Sequence, residues 1–319
     1  MKYFLFLLIQ LTLFADHYDV AIIGSSPFSL CEALYQAHAG KKVVILEQAS
    51  SCGGAWQTID ICGISHVDLG CHQIGHDERI KEFFEDYIGC KIVSHDNPLL
   101  PFEPSNSPNG FYFSKGCFEL IDHLLKLIEK TDIEIRLNHK IINVSINQLQ
   151  KTATLSSKDE LLTASKVIAT QMCSFNLNES KSTHCPSKHF HLYLLIQDPT
   201  PPRFTYLGAP THGVSRAMNL SHHLDLISTG RHLIILQTYN ENFLSDPQAL
   251  LSSLKEKEFI DKGAYILQSE PFIYESAYGH QSRISSADRE VLEVLQTGHI
   301  NQLSTYIEKW KTTLPLCNR

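Results

Sequence analysis

The stretch DVAIIGSSPFS, from Asp19 to Ser29, constrains the fold of this chain more than any other. Val20, Ala21, Ile22 and Ile23 form a short unbroken apolar run, the pattern of a strand covered on both faces. Gly24 follows at once and allows a tight turn. Ser26 then suits an N-cap, Pro27 suits the first helical position, and Leu30, Ala33, Leu34 and Ala37 recur at helical spacing. The pattern predicts strand, turn and helix, with the free N–H groups of the helix N-terminus aimed at a phosphate. Gly24, Ser25 and Ser26 are therefore candidate ligands for a dinucleotide pyrophosphate. Of a G-x-G-x-x-G fingerprint only Gly24 is kept, because Ser26 and Ser29 stand at the other two glycine positions. Ser29 is small enough for close packing of helix on strand. Ser26 can offer its hydroxyl to a phosphate oxygen.

The next strand strengthens the reading. KVVILE, from Lys42 to Glu47, is a second buried run that ends in an acid, about 20 residues beyond the glycine turn, where a carboxylate can accept hydrogen bonds from an adenosine ribose. Glu47 would repel the 2′-phosphate of NADP. QASSCGGAWQ (48–57) then brings Gly53, Gly54 and Trp56, and VDLGCH (67–72) brings Asp68 and His72. In these elements the chain resembles the FAD-dependent amine oxidase, protoporphyrinogen oxidase and phytoene desaturase-like flavoprotein superfamily. The resemblance implies an FAD cofactor held by Gly24, Ser25, Ser26, Glu47, Gly53, Gly54 and Trp56, with Asp68 and His72 beside them. It continues through GFYFSKGCFEL (110–120), Ile133–Asn138 and Val167–Thr170, and covers roughly the first half of the chain. In the second half the late Gly-Asp segment of that superfamily is missing. Its nearest substitute is Thr297-Gly298, ahead of a helix carrying Leu303, Tyr306, Ile307 and Trp310.

These elements predict an α/β architecture: a Rossmann-like FAD/NAD(P)-binding fold with an inserted β-rich substrate or cap region. The cofactor domain is expected over 17–180, with 265–319 completing it, and the cap over 185–264. A short helix is expected near Arg79–Tyr87. Cys117, Leu120, Ile121, Leu124, Leu127 and Ile128 mark an amphipathic helix over 116–130. Strand patterns recur at 133–137, 140–146, 152–155 and 167–170, the middle ones as a meander crossing the parallel sheet, and again at 189–197 and 232–239. Between Asn97 and Gly110 the proline- and asparagine-rich sequence reads as a loop.

Composition narrows the partners. At 319 residues, 43% of them hydrophobic, the chain can bury a full core. A net charge of −7 without a basic run argues against nucleic acid. Nine cysteines with no C-x-x-C read as buried thiols rather than a disulfide framework, which favours a reducing compartment. Met1–Ala15 points the other way: one lysine, an apolar run and a small residue at Ala15 have the form of a signal or membrane-associating segment. An upstream extension of a cytoplasmic enzyme reads equally well, so the compartment stays open. His66, His72 and His76 are close in sequence, but Gly75 disfavours the helix that a metal site at His72 and His76 would need, and no metal is expected. No G-x-S-x-G elbow supports a hydrolase.

The function expected from the resemblance is that of an FAD-dependent oxidoreductase acting on a small molecule, with hydride passing from a C–N or C–H bond to flavin N5 and the protein orienting the cofactor. No catalytic residue is assigned. Two other readings stand beside it. One is a flavin-dependent mutase of sugar-nucleotides, for which Arg203, Arg216 and Arg231 would have to face a diphosphate. The other is a non-catalytic protein on the same fold, suggested by the altered glycine fingerprint.

Overall fold

The computed structural model describes residues 16–72, 74, 77–94, 111–170, 173–178, 186–204, 206–221, 224, 226–277, 284–295 and 300–316. β1 (Asp16–Ile23) leads through Gly24 into α1 (Pro27–His38), and β2 (Val43–Leu46) follows. Ser26 caps α1 by accepting from the Ser29 N–H, and Pro27 opens the helix. β3 (Thr58–Ile61) and β4 (Ile64–Asp68) form a hairpin ahead of the short α2 (Glu78–Phe83). Asp77 caps α2 through the Arg79 N–H. After β5 (Ile92–Ser94) and β6 (Phe111–Phe113), α3 (Gly116–Ile128) buries Cys117, Leu120, Leu124 and Ile128 along one face, as its spacing predicts. β7 (Glu134–Arg136), β8 (Asn143–Asn147), β9 (Thr152–Ser156), β10 (Leu161–Thr170) and β11 (Asn176–Leu177) complete the first half.

β10 is longer than the expected 167–170 because it serves two partners. Leu161–Ala164 pairs antiparallel with β9, whereas Val167–Thr170 lies parallel to the late strand Leu292–Leu295. The parallel part of the sheet thus runs from that late strand through β10, β1 and β2 to β7. Val20, Ile22, Val43 and Ile45 point to one face, against α1, α3 and the C-terminal helix. Ala21, Ile23, Val44 and Leu46 point to the other, where the β8–β9 meander covers them. Continuous apolar runs are what a doubly covered sheet requires.

The second sheet is antiparallel. β12 (Pro186–Gln197), β13 (Tyr206–Thr211), β14 (Val214–Asn219), β15 (Arg231–Thr238) and β16 (Tyr265–Ala277) pair in the order β13-β14-β15-β12-β16, and α4 (Pro247–Glu256) lies between the last two in sequence. Residues 265–277 therefore pair within this sheet, although the expected return to the first domain was at 265. The chain re-enters the first sheet with β17 (Leu292–Leu295) and ends in α5 (Ile300–Lys311), which packs on α1. Fully buried Glu32 of α1 fixes that junction by accepting from Lys309 Nζ at 2.7 Å and Trp310 Nε1 at 2.7 Å. No described helix is long and apolar enough to cross a membrane. Met1–Ala15, the whole 97–110 loop and Thr297-Gly298 lie outside the described residues.

The two faces of the second sheet differ in a way that matters below. Leu192, Leu194, Ile196, Ile234 and Leu236 pack under α4. Alternation sends Tyr193, Leu195, Leu233, Ile235 and Met218 to the opposite face, against the β3–β4 hairpin. His189, His191, Arg216 and Gln237 share that opposite face and continue it beyond the apolar patch, over the C-terminal ends of the parallel strands.

Candidate active site at the end of the parallel sheet

The C-terminal ends of parallel strands are where ligands bind in open α/β sheets, and a cavity of about 720 Å³ lies there. Gly24 closes β1 with φ +90°, a conformation that side chains rarely adopt. A Cβ at this point would sit 2.8 Å from Thr170 Oγ1 and 2.9 Å from Cys173 Sγ. The turn is thus kept clear by both backbone and packing. Ser25 is buried, and its N–H and hydroxyl both donate to Glu47 Oε2, at 2.9 and 2.6 Å. The Ala49 N–H donates to Glu47 Oε1 at 2.8 Å. A carboxylate has about four acceptor positions, so Glu47 keeps capacity for a further donor while holding the ends of β1 and β2 together. Gly53 N–H in turn donates to the Ser25 carbonyl at 3.0 Å, which anchors the Gly-Gly loop against the first turn.

Farther along the cavity Trp56 and His72 stack, ring centroids 4.5 Å apart and 19° from parallel, with the edge of Phe28 against Trp56. His72 Nε2 is 2.7 Å from the Ala55 carbonyl. A carbonyl only accepts, so His72 carries its proton on Nε2 and leaves Nδ1 as an acceptor. Burial drives the His72 pKa down to about 4, with the Ala55 contact opposing and the positive charge of Arg216 adding to the fall. His72 is neutral at physiological pH.

Asp68 does something else. Its carboxylate accepts from the Cys117 N–H at 2.8 Å and so caps α3, and its backbone carbonyl accepts from the Tyr193 hydroxyl at 2.9 Å. A Cβ on Gly116, whose φ is +70°, would lie 2.7 Å from Asp68 Oδ1. Burial raises the Asp68 pKa to about 6 against the pull of the Cys117 N–H. The structure places Asp68 behind the cavity, in the joint between the β4 end, α3 and the second sheet.

Seven of the nine residues singled out in the sequence come together on the cavity wall: Gly24, Ser25, Ser26, Glu47, Gly54, Trp56 and His72. Gly53 stands behind them through its bond to Ser25, and Asp68 belongs to the α3 cap. His66 is elsewhere, its ring tilted against that of Phe118 with centroids 4.0 Å apart. His76 lies outside the described residues, and among the described residues no cluster of three or more His, Cys, Asp or Glu side chains could hold a metal.

The second sheet contributes wall residues that, Arg216 apart, sequence reasoning did not single out. Register sets Arg216 opposite Gln237 and Gln237 opposite His191, while His189 faces Tyr274 on β16. Gln237 Nε2 is 3.3 Å from His189 Nδ1. Burial, then the neighbouring His72 and His189, lower the His191 pKa to about 4. Near Glu47, whose carbonyl accepts from the His139 N–H at 2.7 Å, His139 and Lys140 also line the cavity. Two buried ring nitrogens on this wall, His139 Nε2 and His191 Nδ1, have no hydrogen-bond partner among the described residues. A buried polar atom without a partner is costly.

Comparison with known proteins agrees with this geometry. The family of NAD(P)-binding Rossmann-like domains matches residues 22–87. Over 99 residues the chain is 35% identical to the all-trans-retinol 13,14-reductase of Macaca fascicularis, a match that covers 31% of this chain and 15% of that protein. The chain thus matches only a small part of that curated relative's length. Among solved structures, an oxidoreductase from Methanosarcina mazei superposes with a TM-score of 0.64 at 14% identity, covering 92% of this chain and 99% of that one. Cyclohexylamine oxidase from Brevibacterium oxydans superposes with a TM-score of 0.64 at 10% identity, covering 93% and 97%. Residues 22–87 thus match the NAD(P)-binding Rossmann-like domain, and the chain shares its α/β fold with these two oxidoreductase structures.

Proposed function

We propose that this chain is an FAD-dependent oxidoreductase of the amine-oxidase type, passing hydride from a small-molecule substrate to flavin N5. The observation that carries the proposal is the continuity of one cavity. It runs from the Gly24–Ser26 turn and Glu47, past the Trp56–His72 stack, to His191, Gln237 and Arg216 of the second sheet. Its volume of about 720 Å³ lies in the usual range for sites that enclose a cofactor or ligand, roughly 300–1,000 Å³.

In this reading Ser25, Ser26 and the α1 N-terminus receive the pyrophosphate, and the spare acceptor position of Glu47 takes a ribose hydroxyl. Its negative charge favours FAD or NAD over a 2′-phosphorylated nucleotide. Trp56 and His72 form one wall of the reaction chamber, and the second sheet roofs it and excludes water. Bound FAD supplies a two-electron hydride acceptor. His72, neutral and held by Ala55, presents Nδ1 as an acceptor to whatever lies beside it. Cyclohexylamine oxidase, to judge by its name, oxidises an amine, which agrees with a C–N or C–H bond as the hydride source here. The mutase reading calls for several arginines on a diphosphate. Of Arg203, Arg216 and Arg231, only Arg216 lines the cavity, which favours the oxidoreductase.

The test is spectroscopic. Purified protein, or apo-protein titrated with FAD, should show flavin absorbance that co-elutes with the chain, and an anaerobic substrate panel should bleach it. A chain that takes up no FAD overturns the proposal in favour of the non-catalytic reading. Flavin that binds but turns over only sugar-nucleotides would favour the mutase.

A further inference from the structure

The roof of the cavity carries a fixed positive charge that no acid among the described residues balances. Arg216 lies on the wall formed by the second sheet, in register with Gln237, and its charge reaches Cys71, His72, His189 and Tyr206. No described carboxylate forms an ion pair with it. The carboxylate of the cavity wall is Glu47, at the other end and engaged by Ser25 and Ala49. Asp68 turns its carboxylate away, onto the Cys117 N–H. The other ring groups of the roof carry no charge near neutral pH, since burial lowers the pKa of His189 and, with it, that of His191.

We propose that the substrate carries a carboxylate, which the guanidinium of Arg216 receives with Gln237 beside it, close to the carbon that loses hydride. The inference rests on the flavoprotein reading for the identity of the chamber and adds the class of molecule admitted to it. A guanidinium presents paired N–H donors whose geometry matches a carboxylate in a two-pronged contact. A protonated amine placed there would meet Arg216 as a like charge. A simple diamine or monoalkylamine is therefore the wrong substrate, whereas an acid bearing the oxidisable C–N or C–H bond is the right one.

Three probes of matched shape test this: benzoate, benzamide and benzylamine. Binding is followed by ligand-observed NMR, which needs no flavin signal, and in parallel by perturbation of the flavin spectrum. Benzoate should bind at least about tenfold more tightly than either analogue, the advantage expected of a charged hydrogen-bonded contact. Arg216→Gln should abolish that preference while leaving FAD content and benzamide affinity unchanged, and Arg216→Lys should restore part of it. Competition by inorganic phosphate at similar concentration would mean that any oxyanion is accepted and would overturn the carboxylate assignment. Equal binding of the three probes, tighter benzylamine binding, no binding of benzoate, or an unchanged preference in Arg216→Gln would overturn the inference. A protein without FAD that still prefers benzoate through Arg216 would refute the flavin reading alone. A flavin-loaded protein without the preference would refute only the substrate class.

Discussion

The two ends of the cavity are built on opposite plans. At the Gly24 end the wall is led by two short stretches of chain, Gly24–Ser26 and Glu47–Trp56, fastened to each other by backbone donors and one carboxylate, with His139 and Lys140 beside them. At the roof the wall comes from four strands spread over His189 to Tyr274, and each contributes one or two polar side chains placed by sheet register. The first plan fixes position, because each group is tied into the ends of parallel strands. The second leaves side chains free to change with the substrate, because the strand pairing does not depend on which polar residue faces the chamber. Binding and catalytic groups often divide in this way between a rigid scaffold and a variable surface.

If the contrast holds, the two ends should respond differently to substitution. The largest effect is expected at Gly24, where valine would force a branched side chain into positive φ and against Thr170 and Cys173. Backbone strain and overpacking together should cost roughly 3–5 kcal/mol, seen as a lower urea midpoint and loss of FAD binding. Unchanged stability would break the picture of a rigid turn. Next comes Glu47→Ala, which leaves the buried Ser25 N–H without its acceptor and should cost about 1.5–3 kcal/mol. FAD affinity in this variant should fall by about tenfold or more. Arg216→Gln, measured alongside, should move stability by less than about 0.5 kcal/mol.

The pH dependence sharpens the contrast, because the buried groups oppose one another. His72 and His191 have their pKa depressed from the ordinary 6.5 to about 4. Between those values the unfolded chain binds protons that the native chain does not, so their contribution is fully present above pH 6.5 and is lost as pH falls toward 4. Asp68 is raised from 3.8 to about 6, so its contribution is present in acid and is lost as pH rises through that range. Asp68→Asn should steepen the loss of stability on acidification, and His191→Phe should make it shallower. Each histidine contributes a slope of roughly 1.4 kcal/mol per pH unit within its window. Urea midpoints collected across the window would show it, and identical profiles for the three proteins would refute the assignment.

The smallest effect is expected at Ser26. Its hydroxyl accepts from the Ser29 N–H at 3.3 Å, and replacement of a serine cap by glycine costs only a few tenths of a kcal/mol. Ser26→Gly should therefore scarcely change stability while opening the turn to the pyrophosphate, so FAD should bind more tightly. Weaker binding in that variant would mean that the serine hydroxyl itself holds the phosphate.

The nucleotide end was legible because its signals are local. An unbroken apolar run, a glycine, a cap and a proline each state their structure within a few residues, and Glu47 stands at the end of the next strand. Even Asp68, whose carboxylate serves α3 rather than the cavity, was visible as an acid beside a glycine, but not the direction in which it points. That direction depends on Gly116, which leaves room for the carboxylate and is far from Asp68 in sequence. β10 was read too short for a related reason: half of it is a parallel core strand with an apolar pattern, and the other half alternates and takes an antiparallel partner. Sequence pattern alone leaves 265–277 in the return to the first domain, since nothing in its composition says which sheet it joins, whereas it pairs with β12.

The sequence by itself determined the strand–turn–helix, the acid-ended second strand, the amphipathic face of α3 and the order of the motifs along the chain. These follow from periodicity, capping and the special conformation of glycine, all of which act between near neighbours. Only the tertiary structure decided that Glu47 clasps Ser25, that Trp56 stacks on His72, and that Arg216, Gln237 and His191 line up across three strands above them. Such contacts depend on strand register and on the packing of one sheet over another, and a single residue's slip in register would turn the whole polar row to the opposite face.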